Sequence, residues 1–195
     1  MVRNTRNASG GKLVPTINST EIEGVKLIQP SNSVDSRGRF IKFNSEGMLQ
    51  SKLGSVAVSI NPYVGTVRGL HLQIEPFAEE KLVSCIQGST FEVIVDIRND
   101  SKSFGKVATF ELSQENALQV YIPKGVAHGF QTLLPETIVH YFLTSQYSPD
   151  FSYSIDPFGD LGINWPIEEL SVSDKDSRGL TFTSAAQLYA ESLRR

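Results

Sequence analysis

From Gly24 onward, short apolar or alternating runs are separated by turn residues, and several begin within ten to fifteen residues of one another. The runs cover 25–28, 40–43, 56–60, 66–73, 82–87, 91–97, 107–112, 118–122 and 138–143. Strands of this length and spacing predict an all-β sandwich or barrel. Gly88-Ser89, between two strongly apolar runs, predicts a two-residue hairpin loop in which glycine supplies the positive φ. Helical signals are weak. A short helix fits 45–53, and another fits about 184–193, where Ser184 can cap the first turn and Arg194 and Arg195 suit the negative end of the dipole. The second helix is expected to pack outside the sandwich, with no catalytic part. Residues 1–19 are polar and lack a continuous apolar stretch, so they are expected to be a flexible leader without a secretory signal, with 20–195 forming a single domain.

One run carries chemistry. Arg68-Gly69-Leu70-His71-Leu72-Gln73, with Lys81 ten residues beyond His71, sets a guanidinium, an imidazole and an ammonium along one strand system. Side chains alternate in a strand, so Arg68 and His71 fall on opposite faces unless the strand bends, which Gly69 permits. The run 91–97 contains Glu92 and Asp96, each of which either faces a ligand cavity or lies at a strand edge. The charge balance narrows the partners. With 18 basic and 21 acidic residues and a net charge of −3, the chain has no general affinity for nucleic acid or membranes, and an anionic ligand must be met by a local cluster of cations. The single cysteine, Cys85, lies in an apolar run, which excludes an internal disulfide and predicts a buried structural thiol in a reducing compartment.

Pro123-Lys124-Gly125-Val126-Ala127-His128 ends one strand in a turn and delivers His128 at the start of the next. This Pro-x-Gly-x-x-His spacing resembles the second motif of the cupins, which are jelly-roll β-barrels. Many cupins hold a metal with two histidines from their first motif and one from the second. Here the first-motif equivalent is His71 alone, and the third histidine of the chain, His140, is expected to face away from Tyr141. The expectation is a pocket without metal.

A longer set of motifs is more specific: Arg68 to Gln73, Lys81-Leu82-Val83, Val95-Asp96-Ile97-Arg98 with Ser103-Phe104-Gly105, Ala127-His128-Gly129-Phe130, Tyr141, Tyr147-Ser148-Pro149, Trp165-Pro166 and Ser173-Asp174-Lys175-Asp176. In this order they resemble the dTDP-4-dehydrorhamnose 3,5-epimerase family. The resemblance implies a homodimeric, cytoplasmic, cofactor-independent cupin that binds a nucleotide-diphosphate-linked 4-keto-6-deoxy sugar and inverts carbon beside the ketone. It assigns His71 as base, Asp176 as its carboxylate partner, Lys81 as stabiliser of the enolate oxygen and Tyr141 as proton donor. It also assigns ligand contacts to Arg37, Phe40, Asn61, Arg68, Gln73 and His128. These residue types suit the chemistry. Imidazole, with a pKa of about 6.5, is a base near neutrality, and phenol, at about 10, keeps its proton until needed.

Some positions depart from the commonest family pattern. Ser59-Ile60 stand where many members carry a Gln-Asp pair, Lys42 where a glutamate is common, and Gln146 where a second tyrosine precedes Tyr147. The nucleobase and the carbon inverted, C3, C5 or both, stay open. A sugar 3,4-ketoisomerase of the same fold, a non-catalytic nucleotide-sugar binding module and a metal-dependent cupin oxygenase are the alternatives.

Overall fold

The computed structural model describes residues 15–43, 49, 52, 54–169 and 171–194. Among them the first strands are β1 (Thr16–Ser19), β2 (Lys26–Gln29), β3 (Ser31–Asp35), β4 (Gly38–Lys42), β5 (Ser55–Asn61) and β6 (Val67–Gln73). They are followed by β7 (Lys81–Gln87), β8 (Ser89–Asp96), β9 (Val107–Ser113), β10 (Gln119–Ile122), β11 (Val126–Thr132), β12 (Thr137–Leu143) and β13 (Ser152–Ser154). Helix α1 (Asp174–Ser177) and helix α2 (Phe182–Ser192) come last.

Two antiparallel sheets face each other, in the order β1-β2-β10-β7-β12-β5 and β13-β6-β11-β8-β9, and β3 and β4 form a separate hairpin. This is the predicted jelly roll. Val83, Cys85, Val120, Ile122 and Val139 of the first sheet meet Ile94, Leu112 and Phe130 of the second. The outer face of the second sheet buries Leu70, Leu72, Val93 and Val95 beneath Ala185, Ala186 and Tyr189 of α2. Burial on both faces explains why β8 is a continuous apolar run rather than an alternating one.

The expected hairpin at Gly88-Ser89 is absent. β7 pairs with β10 and β12, while β8 pairs with β11 and β9, so the chain crosses from one sheet to the other at Gly88, where φ is +76°. A glycine at positive φ serves a corner as well as a hairpin, and the need to cover both faces of each run decides between them. The final helix starts earlier than expected and is capped by Thr181, whose Oγ1 accepts from the Ser184 amide at 3.2 Å; Ser184 itself lies within the first turn. Thr16–Ser19, expected to belong to the leader, pairs with β2 as an exposed edge strand, and residues 1–14 lie outside the described residues. Most of the helix expected at 45–53 lies outside the described residues. Strands β3 and β13 and helix α1 had no sequence signal, being polar or too short to show a period.

The register of β6 sets the site. His128 pairs with His71, but Phe130 pairs with Arg68, so β6 carries one extra residue between these two points. The bulge falls at Gly69, with φ +111°, where an added Cβ would stand 2.7 Å from both the Gly129 Cα and the His128 carbonyl oxygen. No side chain fits in that gap. The extra residue changes the parity of the strand and brings Arg68 and His71 to the same cavity.

A buried ionic knot secures the far end of β8. Asp96, fully buried, accepts from Arg98 Nε and Nη2 at 2.8 Å each and from the Ser101 and Ser103 hydroxyls at 2.5 and 2.6 Å. It faces this knot, not a ligand cavity. Burial would raise its carboxyl pKa, but these bonds hold it below the usual carboxylate range. Asp96→Ala leaves the mostly buried Arg98 without its carboxylate and is expected to cost about 3–5 kcal/mol in urea unfolding, whereas removing an exposed ion pair such as Asp35–Arg37 is expected to leave the unfolding midpoint nearly unchanged.

Candidate active site

Between the sheets lies a cavity of about 480 Å³. Its wall from the second sheet carries Arg68 and His71 on β6 and His128 on β11, and its wall from the first carries Lys81 on β7 and Tyr141 on β12. Asp176, on α1, closes one side. Helix α1 forms there because Ser173 caps it, accepting from the Asp176 amide at 3.1 Å, which turns Asp176 inward.

His71 and Asp176 form a pair, with Nε2 and Oδ1 2.7 Å apart. Asp176 is buried, and it also accepts from the Ser154 hydroxyl at 2.8 Å and from the Gly69 amide at 3.2 Å. Burial opposes ionisation of this carboxyl, yet the bonds from His71, Ser154 and Gly69 bring its pKa down to about 2. An ionised carboxylate only accepts, so the neutral imidazole carries its hydrogen on Nε2. The lone pair is therefore on Nδ1.

The second imidazole is also paired. His128 Nε2 lies 2.5 Å from Glu92 Oε2, and the other Glu92 oxygen accepts from the Thr90 hydroxyl. Burial pushes the His128 pKa down despite the nearby carboxylate, so His128 is a neutral ring held in one tautomer. Its ring meets Tyr141 edge-on, with centroids 6.4 Å apart. The Tyr141 phenol is pushed above its ordinary pKa, first by burial and then by the Glu92 charge, with Arg68 acting in the opposite sense. It is a protonated donor. Lys81 is buried and donates to the His71 carbonyl oxygen at 3.2 Å.

The structure brings His71, Tyr141, Asp176, Lys81, Arg68, Gln73 and His128 to one cavity. Gln73 nonetheless has its amide engaged within the protein. Its Nε2 donates to the Phe77 and Gln146 carbonyls at 3.1 Å, and its Oε1 accepts from the Ser148 amide at 2.7 Å. Asn61 does not line the cavity; it is buried between β5 and β12 and bonds to Ser59 and to the Thr137 carbonyl. Within this chain the Asn61 amide is engaged in structural bonds. Arg37 and Phe40 sit on the β3–β4 hairpin, exposed and away from this cavity, with Arg37 Nη2 paired to Asp35 at 2.7 Å.

Glu92, Ser154, Glu79 and Lys175 were not assigned from sequence. Glu92 had a signal, as an acid inside an apolar strand. Lys175 lines the same cavity as Asp176 and Arg68 and adds a further cation to its wall. His140 lies on the opposite face of β12 from Tyr141, and among the described residues no group of three or more His, Cys, Asp or Glu is placed to hold a metal ion. Burial and the nearby Glu92 push the Cys85 thiol up to about 12, which makes it a structural thiol.

Comparison with known proteins agrees with this geometry. The family model for dTDP-4-dehydrorhamnose 3,5-epimerase matches residues 19–184. The dTDP-4-dehydrorhamnose 3,5-epimerase of Sinorhizobium fredii is 42% identical over 168 residues, covering 82% of this chain and 85% of the relative. Among solved structures, the dTDP-6-deoxy-D-glucose-3,5-epimerase of Legionella pneumophila, in complex with dTDP-4-keto-L-rhamnose, superposes with a TM-score of 0.82 at 34% identity, covering 87% of this chain and 94% of that one. A 3'-monoepimerase of Streptomyces bikiniensis in complex with dTDP-quinovose superposes with a TM-score of 0.81 at 28% identity, covering 90% and 94%. A match over most of the sequence, on a jelly roll whose cavity gathers the residues described above, shows that the chain belongs to the dTDP-4-dehydrorhamnose 3,5-epimerase family.

Proposed function

We propose that this enzyme inverts a carbon next to the ketone of a dTDP-linked 4-keto-6-deoxy sugar, at C3, C5 or both, without a cofactor. One observation carries the reading: the His71–Asp176 pair and the Tyr141 phenol project into one cavity from opposite sheets. His71 Nδ1 takes the proton from carbon, and the C–H electron pair moves onto the carbonyl oxygen as an enolate. Asp176 stabilises the imidazolium that forms, and the Lys81 ammonium offsets the charge on oxygen. Tyr141 then gives its proton to the opposite face of the same carbon, which inverts it. Both groups return to their starting states by exchange with solvent.

Arg68 and Lys175 supply cations for the diphosphate. Arg37 and Phe40 lie away from the cavity of their own chain, so their assigned role requires a homodimer in which the β3–β4 hairpin serves the second copy. Support comes from apolar side chains left exposed: Phe40 and Val34 on the hairpin, and Val56, Val58 and Ile60 along the edge strand β5, at 53%, 53% and 66% exposure. We further place the catalytic unit at 20–195 and the enzyme in the cytoplasm. Among the described residues no helix is long and apolar enough to cross a membrane.

Proton NMR in D2O tests the reaction directly. With dTDP-4-keto-6-deoxyglucose, the C3 or C5 signal, or both, should be lost to exchange. His71→Ala should slow this by on the order of 100-fold or more. Tyr141→Phe should abolish inversion while leaving exchange at a carbon that His71 deprotonates, and full activity in both variants would overturn the mechanism. The dyad also predicts a pH dependence of stability. Because the Asp176 pKa falls on folding from 3.8 to about 2, the unfolded chain binds more protons between these values. The contribution is complete above about pH 5 and lost as pH falls towards 2. Urea unfolding across that range should show a loss on the order of 2 kcal/mol that is missing in Asp176→Asn.

A further inference from the structure

The mechanism leaves one cavity-lining acid unused. Glu79 lies in the connection between β6 and β7, its side chain only 10% exposed, with Oε1 3.5 Å from the Lys81 ammonium. Its other oxygen, Oε2, accepts from Gln73 Nε2 at 3.3 Å, and Gln73 is itself fixed by Phe77, Gln146 and Ser148. The next residue, Glu80, turns the other way and accepts from the Tyr121 hydroxyl at 2.9 Å. Glu79 is thus a carboxylate paired with Lys81 on the cavity side.

An ammonium has three N–H donors on a flexible four-carbon stem. The Lys81 side chain is 8% exposed, donates to the His71 carbonyl oxygen at 3.2 Å and forms an ion pair with Glu79 at 3.5 Å. Together these contacts restrict the directions in which the ammonium can point. We propose that Glu79 is a positioning residue, braced by Gln73, that orients the Lys81 ammonium so that its remaining N–H meets the oxygen where enolate charge develops. This inference rests on the enolising role given to Lys81 above. A donor fixed in advance stabilises a transition state without reorganising, whereas a rotating ammonium must first be ordered. The carboxylate partly neutralises the ammonium, so its benefit lies in orientation rather than in added positive charge. Glu79 acts through Lys81 and is not itself in contact with the reacting carbon.

Glu79→Gln keeps the size of the side chain but removes its charge. It is expected to lower kcat about tenfold while KM for dTDP-4-keto-6-deoxyglucose stays within about twofold, with Glu79→Asp partly restoring the rate. In a Lys81→Ala background the same substitution is expected to have no further effect, because the residue it positions is gone. A loss that is the same with and without Lys81, or a loss confined to KM, would overturn the proposal in favour of a structural role or a direct sugar contact. A second readout needs no substrate. In NMR of the wild-type protein, the two Hε protons of Lys81, assigned by their disappearance in Lys81→Arg, should be resolved and should merge in Glu79→Gln. Averaged signals in the wild type, or resolved signals that persist in the variant, overturn the inference even if the nucleotide sugar proves to be a different one. Absence of C3 and C5 exchange in the wild type, by contrast, counts against the proposed reaction and leaves the lysine signals to decide the positioning.

Discussion

The backbone of β6 lies against that of β11 so closely that only glycine fits on either side of the contact. An added Cβ on Gly69 would lie 2.7 Å from the Gly129 Cα, and one on Gly129 would lie 2.7 Å from the Arg68 carbonyl oxygen. This approach forces the bulge that places Arg68 and His71 on one face, and it presents the Gly69 amide to Asp176. It also sets His71 directly across from His128. His71, Asp176, Arg68 and His128 all take their positions from it.

The two sheets divide the chemistry between them. The second sheet and α1 carry the imidazole–carboxylate pairs, each ring anchored to an acid, His71 to Asp176 and His128 to Glu92. The first sheet carries the partly buried Tyr141 phenol and the buried Lys81 ammonium. Burial makes these groups effective for the same reason that it makes them costly. A charge withdrawn from water interacts strongly with its neighbours, and Asp176, Glu92 and Lys81 are each held by a partner or by backbone. The Asp96 knot at the far end of β8 shows the same rule serving stability alone, through two arginine nitrogens and two serine hydroxyls.

The site also depends on short, irregular segments. Asp176 reaches His71 because a single helical turn capped by Ser173 faces it inward, and Ser154 reaches Asp176 from a three-residue strand on the sheet edge. Gln73 holds the 146–148 loop and the Glu79 carboxylate together at the cavity wall. Asp176, Ser154 and Ser173, which together fix His71, thus come from a four-residue helix, a three-residue strand and a capping position.

By itself the sequence determined the strand class, because short apolar runs bounded by turn residues are buried as a β-sandwich or barrel, and it pointed to the family, because His71, Lys81, Tyr141 and Asp176 fall within its motifs. Tertiary structure decided how those groups face one another. Parity alone separates Arg68 from His71, and only packing against Gly129 reverses it. A glycine at positive φ reads the same at a hairpin and at a corner, so the crossing at Gly88 depended on both faces of β7 and β8 needing cover. Gln73 and Asn61 carry amides that suit a ligand, and their commitment to Ser148, Gln146 and Thr137 is visible only once distant segments meet. Local sequence states which side chains are present, whereas hydrogen-bond partners far along the chain decide which of them remain available to a substrate.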